Sequence, residues 1–268
     1  MALSSVLFSV MYVLIRLAQG VDPLLLSLFR FAIGAVLVAT LAIAGRIRLQ
    51  FVDGRTLLLR GLLGGAAVYL SFLAIPTLGV ARGSVISNAF PVFAAAGGAI
   101  FLKERVRPMA WIALGAAAAG LLAMRWGDPG NGGSTVWYVL ATVGALTAGL
   151  AIVTVRKLTT TDSAHAIFLA QSAIGFWMVV VPAASRPAPL SLPVAGLLLA
   201  IGLIASMAQL LMTWSFARVD IATGSLLAML TPLLNVVAGV ALFGESLGAA
   251  GWVGVTLVIG ACLLVLRR

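Results

Sequence analysis

The chain has 268 residues, of which 62% are hydrophobic and only 9% are charged. Soluble domains are about 45–50% apolar and about 25% charged, so this composition excludes an ordinary water-soluble domain and indicates a membrane protein. The net charge of +10 does not indicate a nucleic-acid partner, because the basic residues lie in short segments between apolar runs, where they act as topology signals.

Ten apolar runs are each long enough to cross a bilayer as a helix, the structure that satisfies its own backbone polar groups in lipid. Turn-forming residues such as Asp22-Pro23 and Asp53-Gly54 separate several of these runs. The sequence therefore predicts an all-α membrane protein with ten transmembrane helices. The predicted spans cover residues 2–18, 22–44, 56–78, 80–102, 108–125, 135–155, 164–183, 194–217, 221–243 and 247–266.

Basic residues are distributed unevenly between the two sets of alternate loops. One set, which includes the C-terminus, carries twelve: Arg46, Arg48, Arg55, Arg60, Lys103, Arg105, Arg107, Arg156, Lys157, Arg218, Arg267 and Arg268. The other carries four: Arg16, Arg82, Arg125 and Arg186. Because positive loops remain in the cytoplasm, we expect a multi-pass protein of a bacterial inner membrane with both termini cytoplasmic.

An internal repeat relates the two halves of the chain with a constant shift of 141 residues. Under this shift Pro91 corresponds to Pro232, Glu104 to Glu245 and Trp111 to Trp252. Residues 1–127 are the predicted first unit of five helices, and residues 134–268 are the second. Because five is odd, the second unit must enter the membrane upside down, as in many secondary transporters, whose substrate site lies between the repeats.

Two strings of the sequence resemble the signature of the EamA-type drug/metabolite transporters. They are Pro91…Phe101-Leu102-Lys103-Glu104-Arg105…Trp111 and Pro232…Leu242-Phe243-Gly244-Glu245-Ser246. The segment Ser27-Leu28-Phe29-Arg30-Phe31 is similar to a short motif of that family. The resemblance implies a transporter of small molecules, and among its subfamilies the chain looks most like the YddG-like exporters of aromatic amino acids.

A polar stripe marks the fourth predicted span. Ser84, Ser87, Asn88 and Pro91 recur at helical spacing on one face. They are candidates for lining a cavity, although serine and asparagine also join membrane helices by hydrogen bonds. Pro91 and its equivalent Pro232 are candidate hinges, because proline removes a backbone hydrogen bond; kinks that serve only packing remain the alternative.

Further polar and aromatic residues are predicted near the middle of other spans. The remaining cavity candidates are Tyr12, Tyr69, Phe72, Gln209, Trp214 and Asn235. Aromatic rings together with amides suit an aromatic or amphipathic substrate. Trp214 has the alternative role of an aromatic residue at the membrane interface.

Arg30 is the charge predicted to lie inside a span. A charge at such a position is costly and is a functional hypothesis by default. It would neutralise a substrate carboxylate or a helix C-terminus, or else extend to the external surface.

The seven acidic residues all lie in loops or at the ends of spans. Proton relays use acids or histidines within the membrane, so facilitated or exchange transport is expected. Glu104 and Glu245 lie on opposite predicted sides, and each precedes a helix whose positive N-terminus would favour a carboxylate. No motif for a metal or another cofactor is present, and the expected partners are a small-molecule substrate and lipid, with no nucleic acid and no obligate protein partner.

These observations favour a secondary exporter of small metabolites, such as aromatic or other hydrophobic amino acids, that works by alternating access around a central cavity. An intramembrane enzyme would need a catalytic constellation such as paired acids within the membrane, and the sequence offers none. Exporters of another amphipathic metabolite or drug, a channel, and the membrane subunit of an ATP-driven pump remain open alternatives.

Overall fold

The computed structural model describes residues 1–101, 108–126, 134–185, 191–216, 218 and 227–266, and within these the regular structure is entirely α-helical. The eleven helices of these described residues are numbered in chain order. They are α1 (Ala2–Leu17), α2 (Pro23–Ile43), α3 (Gly54–Leu78), α4 (Val80–Ser87), α5 (Phe90–Phe101), α6 (Pro108–Trp126), α7 (Ser134–Leu158), α8 (Ala164–Ala184), α9 (Leu192–Phe216), α10 (Leu230–Phe243) and α11 (Ala249–Leu266).

Five of the described helices, α2, α3, α7, α8 and α9, are long and apolar enough to cross a membrane on their own. Shorter apolar helices accompany them, including α1, α10 and most of α11. Large apolar side chains such as Trp177, Val181 and Val237 are exposed on the outside of the assembly. Such a surface suits lipid rather than water, because large exposed apolar patches are uncommon on soluble monomers.

The predicted spans and the observed helices agree closely except in the fourth and ninth spans, which are both interrupted. The expected continuous helix over residues 80–102 is wrong, because α4 ends at Ser87 and α5 begins at Phe90. Pro91 cannot donate a backbone hydrogen bond, and the amide of Ala89 bonds to the carbonyl of Ile86 across a tighter turn. The ninth predicted span begins within 219–226, which lie outside the described residues, as do Lys103, Glu104 and Arg105.

A second interruption occurs at the equivalent place in the other half of the chain. A turn at Met229 precedes α10, three residues before Pro232. Asn88 and Met229 are 141 residues apart, which is the shift of the sequence repeat. Both halves therefore break the helical ladder at corresponding positions.

Helices of one half pack mainly on helices of the other. α2 crosses α8, α6 crosses α11, and α4 crosses α10. α3 lies against α7 and α8, whereas α9 lies against α1 and α2. The two halves are therefore interlocked around a shared centre.

Two glycines make the crossing of α2 and α8 possible. A Cβ atom on Gly34 would lie 2.9 Å from the ring of Phe168 and 2.9 Å from the hydroxyl of Ser172. A Cβ atom on Gly175 would lie 2.6 Å from the ring of Phe31. Gly34 and Gly175 are again 141 residues apart, as are Phe31 and Ser172, so the contact between residues 34 and 172 is repeated between 175 and 31.

Carboxylates hold the N-termini of two of these helices. Asp22 accepts a hydrogen bond from the amide of Leu24 at the start of α2. Asp53 accepts one from the amide of Thr56 at the start of α3, and its carboxylate also lies 2.8 Å from the ammonium group of Lys157 at the end of α7. Such caps satisfy backbone donors that the helix itself leaves free.

Candidate functional site

A cavity lies among α1, α2, α3, α7, α8, α9, α10 and the junction of α4 with α5. It leaves about 120 Å³ of room for the centres of water molecules, several times the roughly 10–15 Å³ that a single water needs. The lining runs from Met1 to Tyr12 along α1 and from Arg60 to Phe72 along α3, and it includes residues of the last halves of α7 and α9. The cavity therefore reaches the end of the helical assembly where α1 and α3 begin and where α7 and α9 end, which we call the open end.

Six of the side chains predicted for the site line this cavity: Tyr12, Arg30, Phe72, Ser87, Asn88 and Gln209. Asn88 lies at the break between α4 and α5, where its side-chain amide donates to the carbonyl of Ser84 at 2.8 Å. Tyr12 lies next to the same amide. The interrupted helix thus presents a polar side chain to the cavity beside an aromatic hydroxyl.

The other predicted residues lie outside the cavity lining. Ser84 is buried and donates to the carbonyl of Ala81, and Asn235 is buried and accepts a hydrogen bond from Ser9 at 2.6 Å. Tyr69 packs at the edge of the apolar core around α1, α2 and α3. Trp214 is 48% exposed, and the guanidinium of Arg218 lies 3.5 Å from the centre of its ring.

Neither candidate hinge proline lines the cavity. Pro91 and Pro232 are both buried within helices, just after the two breaks. Their position is compatible with bending at these breaks, and the motion itself remains a prediction.

Arg30 is held inside the protein and does not extend to the surface. Its side chain is 6% exposed, and its guanidinium donates to Gln209 at 3.2 Å and to the sulfur of Met11 at 3.1 Å. The same guanidinium lies 5.6 Å from the centre of the Phe72 ring, within the range of a cation–π contact. A buried cation is thereby fixed against α1, α3 and α9.

A second buried arginine, Arg60, lines the same cavity, although the sequence pattern had grouped it with the cytoplasmic loop residues. It lies in the second turn of α3, is 3% exposed, and donates to Gln171 on α8 at 2.8 Å. The guanidinium of Arg60 lies so close to Gly64 that a Cβ atom at residue 64 would overlap it. The absence of a side chain at Gly64 leaves the space that the guanidinium occupies.

The repeat offers a signal for Gln171 that the sequence analysis missed. Gln171 follows Arg30 by 141 residues, so the two side chains hold equivalent places in the two halves. In each case an arginine of the first half is paired with a glutamine of the second half, Arg30 with Gln209 and Arg60 with Gln171.

No carboxylate faces these two arginines among the described residues. The four acids that the structure describes are engaged elsewhere. Asp22 and Asp53 cap α2 and α3, and Asp162 accepts a hydrogen bond from the amide of Val52. The cavity is therefore rich in positive charge and in hydrogen-bond donors.

The opposite end of the assembly is sealed, and we call it the closed end. Glu245 accepts hydrogen bonds from the amides of Val80 at 2.7 Å and Ala81 at 2.9 Å. Glu245 is thus a capping group, as expected, but its hydrogen bonds go to α4 in the other half of the chain and not to the helix that follows it. Arg82 donates to the carbonyl of Ser246 at 3.0 Å, and Arg16 donates to the carbonyl of Pro76.

Comparison with known proteins shows the family of the chain. The family described as the EamA-like transporter family matches it twice, over residues 1–126 and 135–267. The chain belongs to the EamA-like transporter family. The resemblance seen in the sequence is thereby confirmed at the level of the family, and the chain is a multi-pass membrane protein.

Two curated relatives are transporters by name. The pseudopaline exporter of Pseudomonas aeruginosa is 27% identical over 270 residues, which cover 99% of this chain and 94% of the relative. The riboflavin transporter of Rhizobium johnstonii is 30% identical over 189 residues, which cover 66% of this chain and 59% of the relative. These names agree with the expectation that the chain transports small molecules and is not an enzyme.

A solved crystal structure shares the fold. It aligns with 98% of this chain and 94% of its own, with a TM-score of 0.68 at 17% sequence identity. At that identity the likeness concerns the fold alone.

Proposed function

We propose that this protein is a secondary exporter of small metabolites, including aromatic or other hydrophobic amino acids, that works by alternating access. The observation that carries the proposal is the cavity itself, which is polar at its centre, open at one end of the assembly and sealed at the other by contacts between the two halves. Such a site suits a carrier that exposes its substrate to one side at a time.

The proposal includes ten transmembrane helices arranged as two inverted units of five, with residues 1–127 in the first and 134–268 in the second. The broken pair α4 and α5 counts as one span in this arrangement. Support comes from the double match to the family, from the breaks at Asn88 and Met229, and from the reciprocal contacts of Gly34 and Gly175. A two-fold axis in the membrane plane produces reciprocal contacts of this kind.

The distribution of basic residues among the loops indicates which side of the membrane each end of the protein faces. With both termini in the cytoplasm, the open end faces the cytoplasm and the closed end faces the outside. A carrier in this state is ready to take up a cytoplasmic substrate. The described part of the cavity offers no acid for a proton relay, so exchange or downhill transport is the simpler mechanism.

Counterflow in proteoliposomes tests the carrier proposal. Purified protein is reconstituted, and uptake of labelled phenylalanine and labelled 3-phenylpropionate is followed with and without the same unlabelled compound inside. A carrier gives saturable uptake that is stimulated from the opposite side without ATP. Linear uptake without such stimulation would indicate a channel and would overturn the proposal.

A matched pair of variants tests the position of the site. Asn88→Ala removes a polar group from the cavity and is expected to lower flux, whereas Tyr69→Ala lies outside the lining and is expected to leave flux near the wild-type level. Equal effects of the two variants, at equal abundance in the membrane, would contradict this placement.

A further inference from the structure

We propose that the substrate of this cavity is an organic anion with two acidic groups on an apolar body, and that Arg30 and Arg60 bind the two groups. The inference rests on the proposed function, because it takes the cavity as the transport site. Within the range of substrates proposed for the carrier, it favours anionic metabolites and disfavours zwitterionic amino acids.

The first argument is the charge of the cavity. Arg30 and Arg60 line the same space and are 6% and 3% exposed. Burying a charge without a counter-ion is unfavourable, and buried ions are normally paired. No carboxylate of the described residues serves as that counter-ion, so an anionic ligand is the group that would complete the site.

The second argument is the surplus of hydrogen-bond donors. The Nε atom of Arg60 and the Nε2 atom of Gln209 are buried and have no hydrogen-bond partner among the described residues. Gln209 presents its carbonyl oxygen to Arg30, so its amide nitrogen remains as a donor. A planar guanidinium binds a carboxylate through two parallel hydrogen bonds, and a carboxylate accepts such bonds without donating any.

The third argument is that the two cations are held separately, by glutamines on two different helices of the second half. Arg30 is held by Gln209 on α9, whereas Arg60 is held by Gln171 on α8. Arg30 and Arg60 also repel one another electrostatically. A ligand with two acidic groups relieves this repulsion at both positions, which a ligand with a single acidic group does less well.

The fourth argument concerns the body of the ligand. Phe8, Tyr12, Phe72 and Phe90 contribute aromatic surface to the cavity wall. Within the described lining, the charged side chains are the two arginines. A zwitterionic amino acid would place its ammonium group in this positive environment with no carboxylate to receive it, so the site favours a net anion over a zwitterion.

A ligand series with a constant phenyl group tests the inference. Phenylsuccinate carries two carboxylates, 3-phenylpropionate carries one, phenylalanine is a zwitterion and 3-phenylpropionamide is neutral. Their dissociation constants are measured from ligand-induced thermal stabilisation of the purified full-length protein. We expect each added carboxylate to tighten binding about tenfold to a hundredfold, as for hydrogen bonds to charged groups, with phenylsuccinate binding most tightly.

Variants assign the two acidic groups. Arg30→Gln and Arg60→Gln should each weaken phenylsuccinate binding to about the level of 3-phenylpropionate, and Gly64→Ala should do so by displacing the guanidinium of Arg60. Arg46→Gln removes one charge from an exposed position and is expected to leave binding unchanged. Without ligand, Arg60→Gln should be as thermostable as the wild type or more so, because it removes an uncompensated buried charge.

Several outcomes would overturn the inference. These are equal or absent stabilisation by phenylsuccinate and 3-phenylpropionamide, tighter binding of phenylalanine than of the dianion, or unchanged affinity in both arginine variants. The wild-type ranking decides the matter even when a variant fails to fold. Saturable counterflow of phenylalanine without a preference for anions would sink this inference and leave the carrier proposal intact. Preferred binding of phenylsuccinate without counterflow of any probe would overturn the carrier proposal and would leave the preference of the cavity for dianions intact.

Discussion

The closed end and the cavity use charged groups in opposite ways. At the closed end Glu245 binds two backbone amides of the other half, and Arg16 and Arg82 donate to backbone carbonyls. In the cavity Arg30 and Arg60 are held only by neutral groups, and two buried nitrogen donors there have no partner among the described residues. Charges at the closed end join the protein to itself, whereas charges in the cavity are available to a ligand.

This difference suggests how a ligand drives the transport cycle. A ligand shifts an equilibrium between two conformations only through its different affinity for them. If opening the sealed side requires the contacts of Glu245 to break, binding energy at the arginines must compensate for their loss. The balance between the two sets of charges then determines which end is open.

The largest expected effect follows from weakening the closed end. Glu245→Gln replaces a charged acceptor of two backbone amides, which should destabilise the seal by about 1.5–3 kcal/mol. The probe is a cysteine introduced just inside the seal by Ser84→Cys, in a protein whose single native cysteine is replaced (Cys262→Ala). This cysteine should react with an impermeant maleimide from outside at least tenfold faster in the Glu245→Gln variant than in the protein that retains Glu245.

Asp22→Asn provides the matched control for this variant. Asp22 also caps a helix at the same end, but it bonds within its own segment and joins no two halves. Its substitution should leave the labelling rate unchanged. Equal rates in the Glu245→Gln variant and the unsubstituted protein would show that Glu245 does not hold this end closed.

An intermediate effect is expected at the crossing of α2 and α8, which belongs to neither end. Gly175→Ala would place a methyl group 2.6 Å from the Phe31 ring, and overpacking of this kind costs about 1–3 kcal/mol. Gly34→Ala should destabilise the protein similarly, because its contacts are reciprocal.

Gly196→Ala is the control for the crossing, since a Cβ atom there meets no neighbour within 4 Å. Thermal unfolding in detergent measures all three variants. Similar melting temperatures for Gly175→Ala and Gly196→Ala would mean that the crossing is loosely packed.

The smallest effect concerns the capping group of α3 at the open end. Hydrogen bonding to the ammonium of Lys157, and then to the hydroxyl and amide of Thr56, holds the pKa of the Asp53 carboxyl well below its ordinary value. Because the folded-state pKa is the lower one, this stabilisation is complete above about pH 4 and is lost as the pH falls through the folded-state pKa.

Asp53→Asn should therefore lower the melting temperature slightly at pH 7, and the difference from the wild type should shrink in acid. Both groups are partly exposed, which limits the effect of the pair. A difference that grows as the pH falls would contradict the assignment of the lowered pKa to this contact.

The sequence predicted most helix positions because long apolar runs leave few alternatives in a membrane. Arg30 stood out as a single charge within such a run. Arg60 did not, because it lies close to Arg55 and to the boundary at Asp53 and therefore looks like a topology signal. Its role depends on Gln171, which is 111 residues away and reaches it only through the packing of α3 on α8.

The interruption between α4 and α5 and the contacts of the closed end were also only partly predictable from the sequence. Pro91 indicated a bend, but the exact interruption at Asn88 and Ala89 depends on the hydrogen bonds that replace the lost one. Glu245 was recognised as a capping group, yet its partners on α4 are separated from it by about 165 residues. Long-range contacts of this kind become visible only once the two halves are packed.

Locking the closed end with a reversible cross-link tests alternating access most directly. Cysteines are placed at positions 82 and 246, where Arg82 now donates to the Ser246 carbonyl, in the Cys262→Ala background, and joined by a short reducible bifunctional thiol reagent. Counterflow of 3-phenylpropionate should cease in the cross-linked protein, return after reduction, and persist in each single-cysteine control treated with the same reagent. Full counterflow through the cross-linked protein would contradict the account, because the substrate would then cross without opening the closed end.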